Sequence, residues 1–200
     1  MTLEHVGIFF DRDGTINTEV DFIRRPDELE LIPQAAQAIR EANSLGLKVF
    51  VITNQSGVAR GLLTEADLGA VHDRLHTLLN SQGSRIDAIY YCPHHLEFGK
   101  PPYNILCDCR KPDIGMLTQA ASEFNIQLHR SFLVGDRAAD MSAGKRAGCT
   151  TILVLTGYGK TEEAECVAAG NVDFVADDAY GAWQIVRNTL NHTLSHFHAQ

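Results

Sequence analysis

An apolar segment that ends in two closely spaced acids constrains the fold of this 200-residue chain more than any other feature. Residues 6–10 form an uninterrupted apolar run, which is typical of a strand that is covered on both faces. Asp11 and Asp13 follow it directly. In an open α/β sheet, such a loop lies in the crevice beyond the carboxyl ends of the strands, where ligands bind.

The two acids have two interpretations at this point. The pattern is also that of a tight, solvated turn in which Gly14 supplies backbone freedom. Two carboxylates in one crevice, however, repel each other unless a cation lies between them or one of them is protonated. Mg²⁺ is the expected cation, because it takes oxygen ligands and leaves room for a substrate phosphate. The remaining motifs decide between a turn and a metal site.

Strand and helix patterns alternate along the whole chain. Predicted strands cover residues 6–10, 47–52, 86–91, 132–134, 150–155 and 172–175, and predicted helices cover 34–44, 64–81, 114–124, 138–147 and 179–190. This alternation predicts an α/β fold, a three-layer Rossmann-like parallel sheet with helices on both faces. No segment between the motifs is long enough for a large cap domain. We expect residues 1–200 to form a single domain.

Composition excludes several classes of function. The chain has 25 acidic and 17 basic residues and a formal net charge of −8, which argues against a general nucleic-acid binder. No apolar run approaches the length of a membrane span, and the N-terminus does not have the pattern of a signal peptide. We therefore expect a cytoplasmic protein. We also expect a monomer, and the lack of a large cap domain favours a small phosphorylated metabolite as its substrate.

Acids follow two of the predicted strands and converge if those strands are parallel neighbours. Asp11 is then placed as a nucleophile toward phosphorus, and Asp13 protonates the leaving oxygen and later takes a proton from water. Mg²⁺ would be held by Asp11, Asp13 and Asp136, with Asp140 in a supporting role.

Two further side chains complete the expected catalytic set. The hydroxyl of Thr53, at the end of the second strand, is expected to hold the non-bridging phosphate oxygens. Lys111 supplies fixed positive charge where the phosphoryl group becomes most anionic.

In this order, segments 11–15, 53–54, 111–112 and 135–140 resemble the four motifs of the haloacid dehalogenase-like phosphatases. The resemblance extends from the first strand to the fifth. It implies Mg²⁺-dependent phosphoryl transfer through an aspartyl-phosphate on Asp11.

A narrower resemblance concerns the substrate. Segments 11–17, 53–61, 91–95 and 107–112 are similar to those of the D-glycero-D-manno-heptose 1,7-bisphosphate 7-phosphatases. The histidinol-phosphate phosphatases share most of them, so histidinol phosphate is the alternative substrate, and a non-catalytic zinc- or phosphate-binding module on the same fold is the alternative of another class. The residues that we expect to bind substrate are Arg12, Glu19, Asp21, Phe22, Asn54, Gln55, Ser56, Arg110 and Arg137. Two features depart from the heptose subgroup: the segment 19–22 lacks its frequent Gly-Tyr pair, and Arg137 stands where that subgroup often has lysine.

Three of the five cysteines fall between residues 92 and 109. Cys92, His94, Cys107 and Cys109 have a C-x-H…C-x-C spacing that suits a closed tetrahedral zinc site, and the resemblance implies a structural zinc on the same four residues. Zinc would clamp the ends of the loop 92–109, directly before Arg110 and Lys111. His95 is a competing ligand, and reduced, unligated cysteines are the alternative to a metal site.

The segment 157–161 has a glycine-rich pattern that suggests a phosphate-binding loop. The required earlier glycine is replaced by Val154, and the segment comes after the fifth strand. We interpret it as a flexible loop near the rim of the site.

Overall fold

The computed structural model describes the backbone of residues 3–197 and the side chains of residues 3–192. The strands are Gly7–Phe10 (β1), Lys48–Asn54 (β2), Ala88–Cys92 (β3), Phe132–Gly135 (β4), Thr150–Val154 (β5) and Phe174–Ala176 (β6). The α-helices are Ala35–Ser44 (α1), Ser56–Ala59 (α2), Glu65–Asn80 (α3), Gly115–Phe124 (α4), Ala138–Ala147 (α5), Gly159–Ala168 (α6) and Ala179–Phe197 (α7), and short 3-10 helices cover Pro26–Glu28 and Leu128–Arg130.

The six strands form one sheet in the order β3-β2-β1-β4-β5-β6. All neighbouring strands are parallel, so their carboxyl ends lie at one edge. The chain order reverses direction between β1 and β4, and a sheet of this order binds ligands at that reversal. The predicted Rossmann-like parallel sheet is confirmed.

Helices cover both faces of the sheet because the central strands are apolar on both sides. In β1, Ile8 and Phe10 pack on one side with residues of α1, α3 and α7. Phe9 points to the opposite side, where it packs with residues of α4 and α5. This alternation produces three layers and keeps β1 fully buried.

Local signals fix the ends of several helices as expected. Thr64 caps α3, since its Oγ1 accepts the N–H of Asp67 at 3.1 Å while the Asp67 carboxylate accepts the N–H of Thr64 at 2.8 Å. Gly148 ends α5 in the left-handed conformation, with φ of 80°.

Two helices were not predicted. One is α2, directly after β2, and the other is α6, whose first residue, Gly159, lies inside the segment that we interpreted as a flexible loop. That interpretation was wrong from Gly159 onward.

Within residues 3–197, the long connections 11–34 and 93–114 contain no helix longer than three residues, so no large cap domain covers the sheet edge. None of the helices in this described part of the chain is long and apolar enough to cross a membrane.

Candidate active site

A cavity of about 380 Å³ opens at the carboxyl edge of the sheet, beside the ends of β1, β2 and β4. Its walls come from the loops that follow these strands and from the segments around residues 95, 110 and 158. The lining residues are Asp11, Asp13, Glu19, Asp21, Phe22, Thr53, Asn54, Gln55, Ser56, Arg60, His95, Arg110, Lys111, Arg137, Ala139, Asp140 and Tyr158. Most of the residues expected from the sequence to contact substrate therefore share one cavity.

Lys111 and Asp11 form an ion pair at the floor of this cavity. Lys111 Nζ lies 2.9 Å from Asp11 Oδ1 and 2.6 Å from Asp140 Oδ1, and it donates a hydrogen bond of 2.7 Å to the carbonyl oxygen of Ile52. Burial alone would lower the pKa of Lys111, but the two carboxylates outweigh burial and raise it above its usual 10.5. The lysine is therefore a permanent cation in this site.

One lysine does not neutralise the carboxylates around it. Carboxylate oxygens of Asp11, Asp136 and Asp140 all lie within 4.8 Å of one another. Burial, opposed by Lys111 and reinforced by Asp140, raises the pKa of Asp11 to about 6. Burial and the charges of Asp11 and Asp140 raise the pKa of Asp136 to about 8. Both shifts arise first from burial, and the neighbouring carboxylates add to them.

The cluster also has an unused acceptor. Asp136 is fully buried, and its Oδ1 has no hydrogen-bond partner, whereas its Oδ2 accepts the N–H of Tyr158 at 2.8 Å. A buried carboxylate oxygen without a donor is costly unless a cation binds it. Asp11 and Asp136, with Asp140 beside them, are therefore fitting ligands for a hard divalent cation such as Mg²⁺.

Asp13 lies outside this cluster because other groups occupy its carboxylate. Arg12 Nε and Nη2 donate to both Asp13 oxygens at 3.1 and 2.8 Å, and Asn17 and Gln55 donate to them at 2.9 and 2.8 Å. Burial alone would raise the pKa of Asp13, but the Arg12 guanidinium and these hydrogen bonds lower it below 3.8. The Asp13 side chain is therefore hydrogen-bonded within the protein and lies outside the group of three carboxylates, and its expected role as a Mg²⁺ ligand stays a prediction.

The expectation for Arg12 needs correction. Its side chain is fully buried and does not line the cavity. It lies behind Asp13 and holds that carboxylate in a two-pronged ion pair. Arg12 therefore positions Asp13 and does not reach a substrate in the cavity.

The loop after β2 supplies a network of hydrogen bonds that holds the catalytic groups. Gln55 Nε2 donates to Thr53 Oγ1 at 2.8 Å as well as to Asp13. Asn54 exchanges two hydrogen bonds of 3.0 Å with the backbone N–H and C=O of Lys111. Thr53 therefore accepts a bond from Gln55 and keeps its own hydroxyl proton for another acceptor, while Asn54 fixes the backbone of Lys111.

Charged side chains form the outer wall of the cavity. Arg110 Nη1 donates to the carbonyl oxygen of His94 at 3.2 Å, and Arg137 Nε pairs with Glu162 at 3.4 Å. Glu19 is partly buried, and burial together with the nearby Asp13 raises its pKa to about 7. The wall therefore offers two guanidinium groups and one carboxyl group that gains a proton near neutral pH.

Four lining residues, Arg60, His95, Ala139 and Tyr158, were not among the site residues expected from the sequence. Arg60 stacks on Phe98 and Phe22, with its Cζ 4.2 and 5.5 Å from the ring centroids. His95 and Tyr158 also line the cavity. Arg60 and His95 belong to segments already matched to the heptose subgroup, so their proximity to the motifs was an available signal.

Cys92, His94, Cys107 and Cys109 come together beside this wall, with ligand atoms within 4.8 Å of one another. Cys92 Sγ lies 3.6 Å from Cys107 Sγ, and His94 Nδ1 lies 3.8 and 3.5 Å from the sulfurs of Cys92 and Cys109. These separations are those of tetrahedral corners around an ion with bonds of about 2.0–2.3 Å, the zinc values.

His95, the competing ligand, lies apart from this group. Its Nδ1 accepts the N–H of Phe98 at 3.3 Å. The cluster is therefore the predicted set of four and is compatible with zinc.

Comparison with known proteins identifies the family. A family model described as HAD-hyrolase-like matches residues 108–182. The D-glycero-beta-D-manno-heptose-1,7-bisphosphate 7-phosphatase of Pasteurella multocida (strain Pm70) is 41% identical over 171 residues, which cover 85% of this chain and 92% of that relative. This chain belongs to the haloacid dehalogenase-like phosphatases. It is therefore a phosphoric monoester hydrolase of that family.

Other phosphatases of this family are similar to the chain to a comparable degree. The enzyme of the same name from Escherichia coli (strain K12) is 40% identical over 171 residues, covering 85% of this phosphatase and 90% of the relative. The crystal structure of D,D-heptose 1,7-bisphosphate phosphatase from B. bronchiseptica, complexed with magnesium and phosphate, has a TM-score of 0.80 at 35% identity, covering 92% and 99% of the two chains. The corresponding enzyme from Burkholderia thailandensis has a TM-score of 0.65 at 32% identity, covering 90% and 96%.

Proposed function

We propose that this phosphatase hydrolyses D-glycero-D-manno-heptose 1,7-bisphosphate at its 7-phosphate, with Mg²⁺ and through an aspartyl-phosphate on Asp11. The observation that carries this proposal is the pairing of Asp11 with Lys111 at 2.9 Å on the floor of the polar cavity. Relatives named for this reaction are 40 and 41% identical over 85% of the chain. Both the site and the relatives therefore support the same reaction.

The residues that would hold Mg²⁺ are Asp11 and Asp136, with Asp140 supporting them through Lys111. Asp136 Oδ1 is buried without a partner, and a solved relative contains magnesium and phosphate. When bound, Mg²⁺ would neutralise negative charge on the transferring phosphoryl group. It would also lower the pKa of the clustered carboxylates, because an opposite charge favours their ionised form.

In the first half of the reaction, the Asp11 carboxylate attacks phosphorus and the phosphorus–oxygen bond to the sugar breaks. Lys111 and the hydroxyl of Thr53 bind the non-bridging oxygens, where charge develops. Asp13 gives a proton to the departing sugar oxygen. The pKa of Asp13 is low in the free protein, and the negative charge of an arriving phosphate raises it toward the value that proton donation needs.

In the second half, water attacks the phosphorus of the aspartyl-phosphate and Asp11 is released. Asp13, now a carboxylate, takes the proton of that water. The two Arg12 hydrogen bonds keep Asp13 in one orientation through both halves. Inorganic phosphate is then the last product to leave the floor of the cavity.

The remaining cavity residues would select the sugar phosphate. Glu19, Asp21 and Asn54 offer acceptors for sugar hydroxyl groups, while Arg110 and Arg137 offer cations for a second phosphate. Phe22, Gln55 and Ser56 complete the wall beside them. A bisphosphate with several hydroxyl groups is the kind of substrate that uses all of these side chains.

We further propose that Cys92, His94, Cys107 and Cys109 bind a structural zinc. Burial and the neighbouring Cys109 thiol raise the pKa of Cys92, so the cluster needs a cation to become thiolates. Zinc would fix the loop 92–109 and, through it, the backbone of Arg110 and Lys111.

Three broader expectations stay with this proposal: residues 1–200 form a single domain, the enzyme is a monomer, and it acts in the cytoplasm. The expectation that it does not bind nucleic acid rests on its net charge of −8, and the expectation that it does not bind a membrane rests on the lack of a long apolar run.

A substrate comparison tests the proposed function. Phosphate release is measured with Mg²⁺ for both anomers of the heptose 1,7-bisphosphate and for histidinol phosphate, which the similar histidinol-phosphate phosphatases hydrolyse. We expect kcat/KM for one heptose anomer to exceed that for histidinol phosphate by about 10²-fold or more. A preference for histidinol phosphate would reject the substrate while leaving the reaction type intact.

A further inference from the structure

Residues 156–158 form a turn shortly after β5 that lies against one side of the Asp136 carboxylate. Thr156 Oγ1 donates a hydrogen bond of 2.6 Å to the carbonyl oxygen of Gly14, which ties the turn to the loop after β1. A Cβ atom on Gly157 would lie 2.1 Å from Asp136 Oδ2, and one on Gly14 would lie 2.2 Å from the same atom. Asp136 therefore sits between two backbones that only glycine allows to approach so closely.

The same turn sets the rotation of this carboxylate. The N–H of Tyr158 donates to Asp136 Oδ2 at 2.8 Å. The other oxygen, Oδ1, is buried without a partner and belongs to the group with Asp11 and Asp140. One oxygen of Asp136 is therefore bonded to the backbone of the turn, and the other is left to bind a cation.

The Tyr158 side chain extends from the turn to the wall of the cavity. Arg137 Cζ lies 3.9 Å from the centroid of the Tyr158 ring, and the hydroxyl donates to Asp21 Oδ1 at 3.2 Å. Arg137 and Asp21 both line the cavity, and they come from different loops. Tyr158 therefore connects the two loops that face the outer part of a substrate.

We propose that the turn 156–158 is a positioning element with two separable halves. Its backbone orients Asp136 for metal binding, and the Tyr158 side chain orients Arg137 and Asp21, so that Tyr158 is a specificity-determining residue. The second half rests on the proposed function, because it concerns recognition of a phosphorylated sugar. The first half depends only on the ability of the cluster to bind Mg²⁺.

The backbone half is tested with Gly157→Ala. Its control is Gly170→Ala, because Gly170 also has a positive φ, 69° against 53°, but a Cβ there meets no atom within 4 Å. We expect calorimetry with Mg²⁺ alone to show at least tenfold weaker binding to Gly157→Ala and wild-type binding to Gly170→Ala. Equal Mg²⁺ affinity in both variants would overturn this half.

A milder variant guards against misfolding of Gly157→Ala. Thr156→Val keeps the shape of the side chain but removes the hydrogen bond to Gly14. We expect it to weaken Mg²⁺ binding in the same direction, by a smaller factor, with its thermal unfolding still cooperative. Unchanged Mg²⁺ affinity in Thr156→Val, at a lowered Tm, would show that the turn backbone has a purely structural role and would overturn the backbone half.

The side-chain half is tested with Tyr158→Leu and Tyr158→Phe, which both keep the backbone N–H to Asp136. We expect wild-type Mg²⁺ affinity, together with an increase of about tenfold in KM for the sugar bisphosphate in Tyr158→Leu and a smaller increase in Tyr158→Phe. The control is Tyr180→Phe, whose lost hydroxyl bonds Glu41 in another part of the fold. An unchanged KM in Tyr158→Leu would overturn this half.

A double-mutant cycle separates positioning of Arg137 from direct substrate contact. If Tyr158 acts through Arg137, Tyr158→Leu changes KM much less in an Arg137→Gln background than in the wild type. Independent, additive effects would contradict that coupling. If the wild type does not hydrolyse the sugar bisphosphate, the proposed function and the side-chain half fail together, whereas the Mg²⁺ titrations still decide the backbone half.

Discussion

Lys111 Nζ lies 2.9 Å from Asp11 Oδ1, although the two residues come from distant segments of the chain. The contact forms because Asn54 holds the Lys111 backbone with two hydrogen bonds beside the end of β2. The ammonium is nearly inaccessible to water, so its charge acts on the phosphoryl group in a medium of low dielectric constant.

Removing this charge should slow the chemical step. We expect Lys111→Met to lower kcat by about 10²–10³-fold, since one fixed group that stabilises developing charge contributes that much. Steady-state kinetics with Mg²⁺ measure the effect. The matched control is Lys145→Met, which removes a lysine paired with Asp173 on the surface; a similar loss of kcat there would show that the effect is not specific to the site.

Arg12 should act through Asp13 alone. Arg12→Lys keeps the positive charge but loses the planar fork that bonds both Asp13 oxygens. We expect kcat to fall by about tenfold or more, because Asp13 loses its orientation for proton transfer, with KM unchanged. Arg137→Lys, on the wall of the cavity, should instead raise KM, and a rise of KM in Arg12→Lys would restore a direct contact between Arg12 and substrate.

Buried His72 should make the fold less stable in acid. Burial, with smaller contributions from Arg12 and His76, lowers the pKa of His72 to about 3. Below its usual pKa of 6.5, the unfolded chain binds this proton and the folded chain does not. The free energy of unfolding therefore falls as the pH falls through the window between 6.5 and 3.

The slope of that loss approaches about 1.4 kcal/mol per pH unit. His72→Leu removes this pH dependence. The free energy of unfolding of the wild type, relative to that of the variant, should therefore fall by about 2 kcal/mol between pH 6.5 and pH 5. Urea unfolding at several pH values measures the shift. A difference that does not vary with pH would show that His72 has the same pKa in the folded and the unfolded chain.

The cysteine cluster should couple metal content to stability. We expect Cys107→Ala to lose zinc and to unfold at a lower temperature, with Tm falling by about 2–4 °C for each kcal/mol of lost stability. Elemental analysis and thermal unfolding measure the two quantities. Cys149→Ser, which alters a buried cysteine outside the cluster, should keep its zinc; unchanged zinc in Cys107→Ala would remove Cys107 from the site.

The sequence predicted the sheet because its signals there are local and agree with one another. The apolar run of β1 is buried on both faces, and the capping pattern of Thr64 and Asp67 forms as expected. Parallel strands then bring their carboxyl ends to one edge, so the convergence of Asp11 with Asp136 followed from topology. The choice of His94 over His95 rested on the resemblance to the family, and His94 is the histidine that lies with the three cysteines.

The substrate-binding role that sequence reasoning assigned to Arg12 was wrong because of side-chain direction. Arg12 lies between Asp11 and Asp13, yet its side chain is fully buried and pairs with Asp13. The Asp13 carboxylate accepts hydrogen bonds from side chains of two loops. The residue spacing within one motif does not reveal a donor that comes from another loop. Tyr158 was missed because its contacts with Asp136, Arg137 and Asp21 join three loops that are separate in the sequence.

The most direct test of the account is the turnover of Asp11→Asn. This variant keeps the shape of the side chain and removes the nucleophilic carboxylate. With Mg²⁺ and the heptose bisphosphate, we predict that kcat falls by about 10⁴-fold or more, while zinc content and cooperative thermal unfolding are retained. Turnover near that of the wild type would contradict the assignment of Asp11 as the group that accepts the phosphoryl.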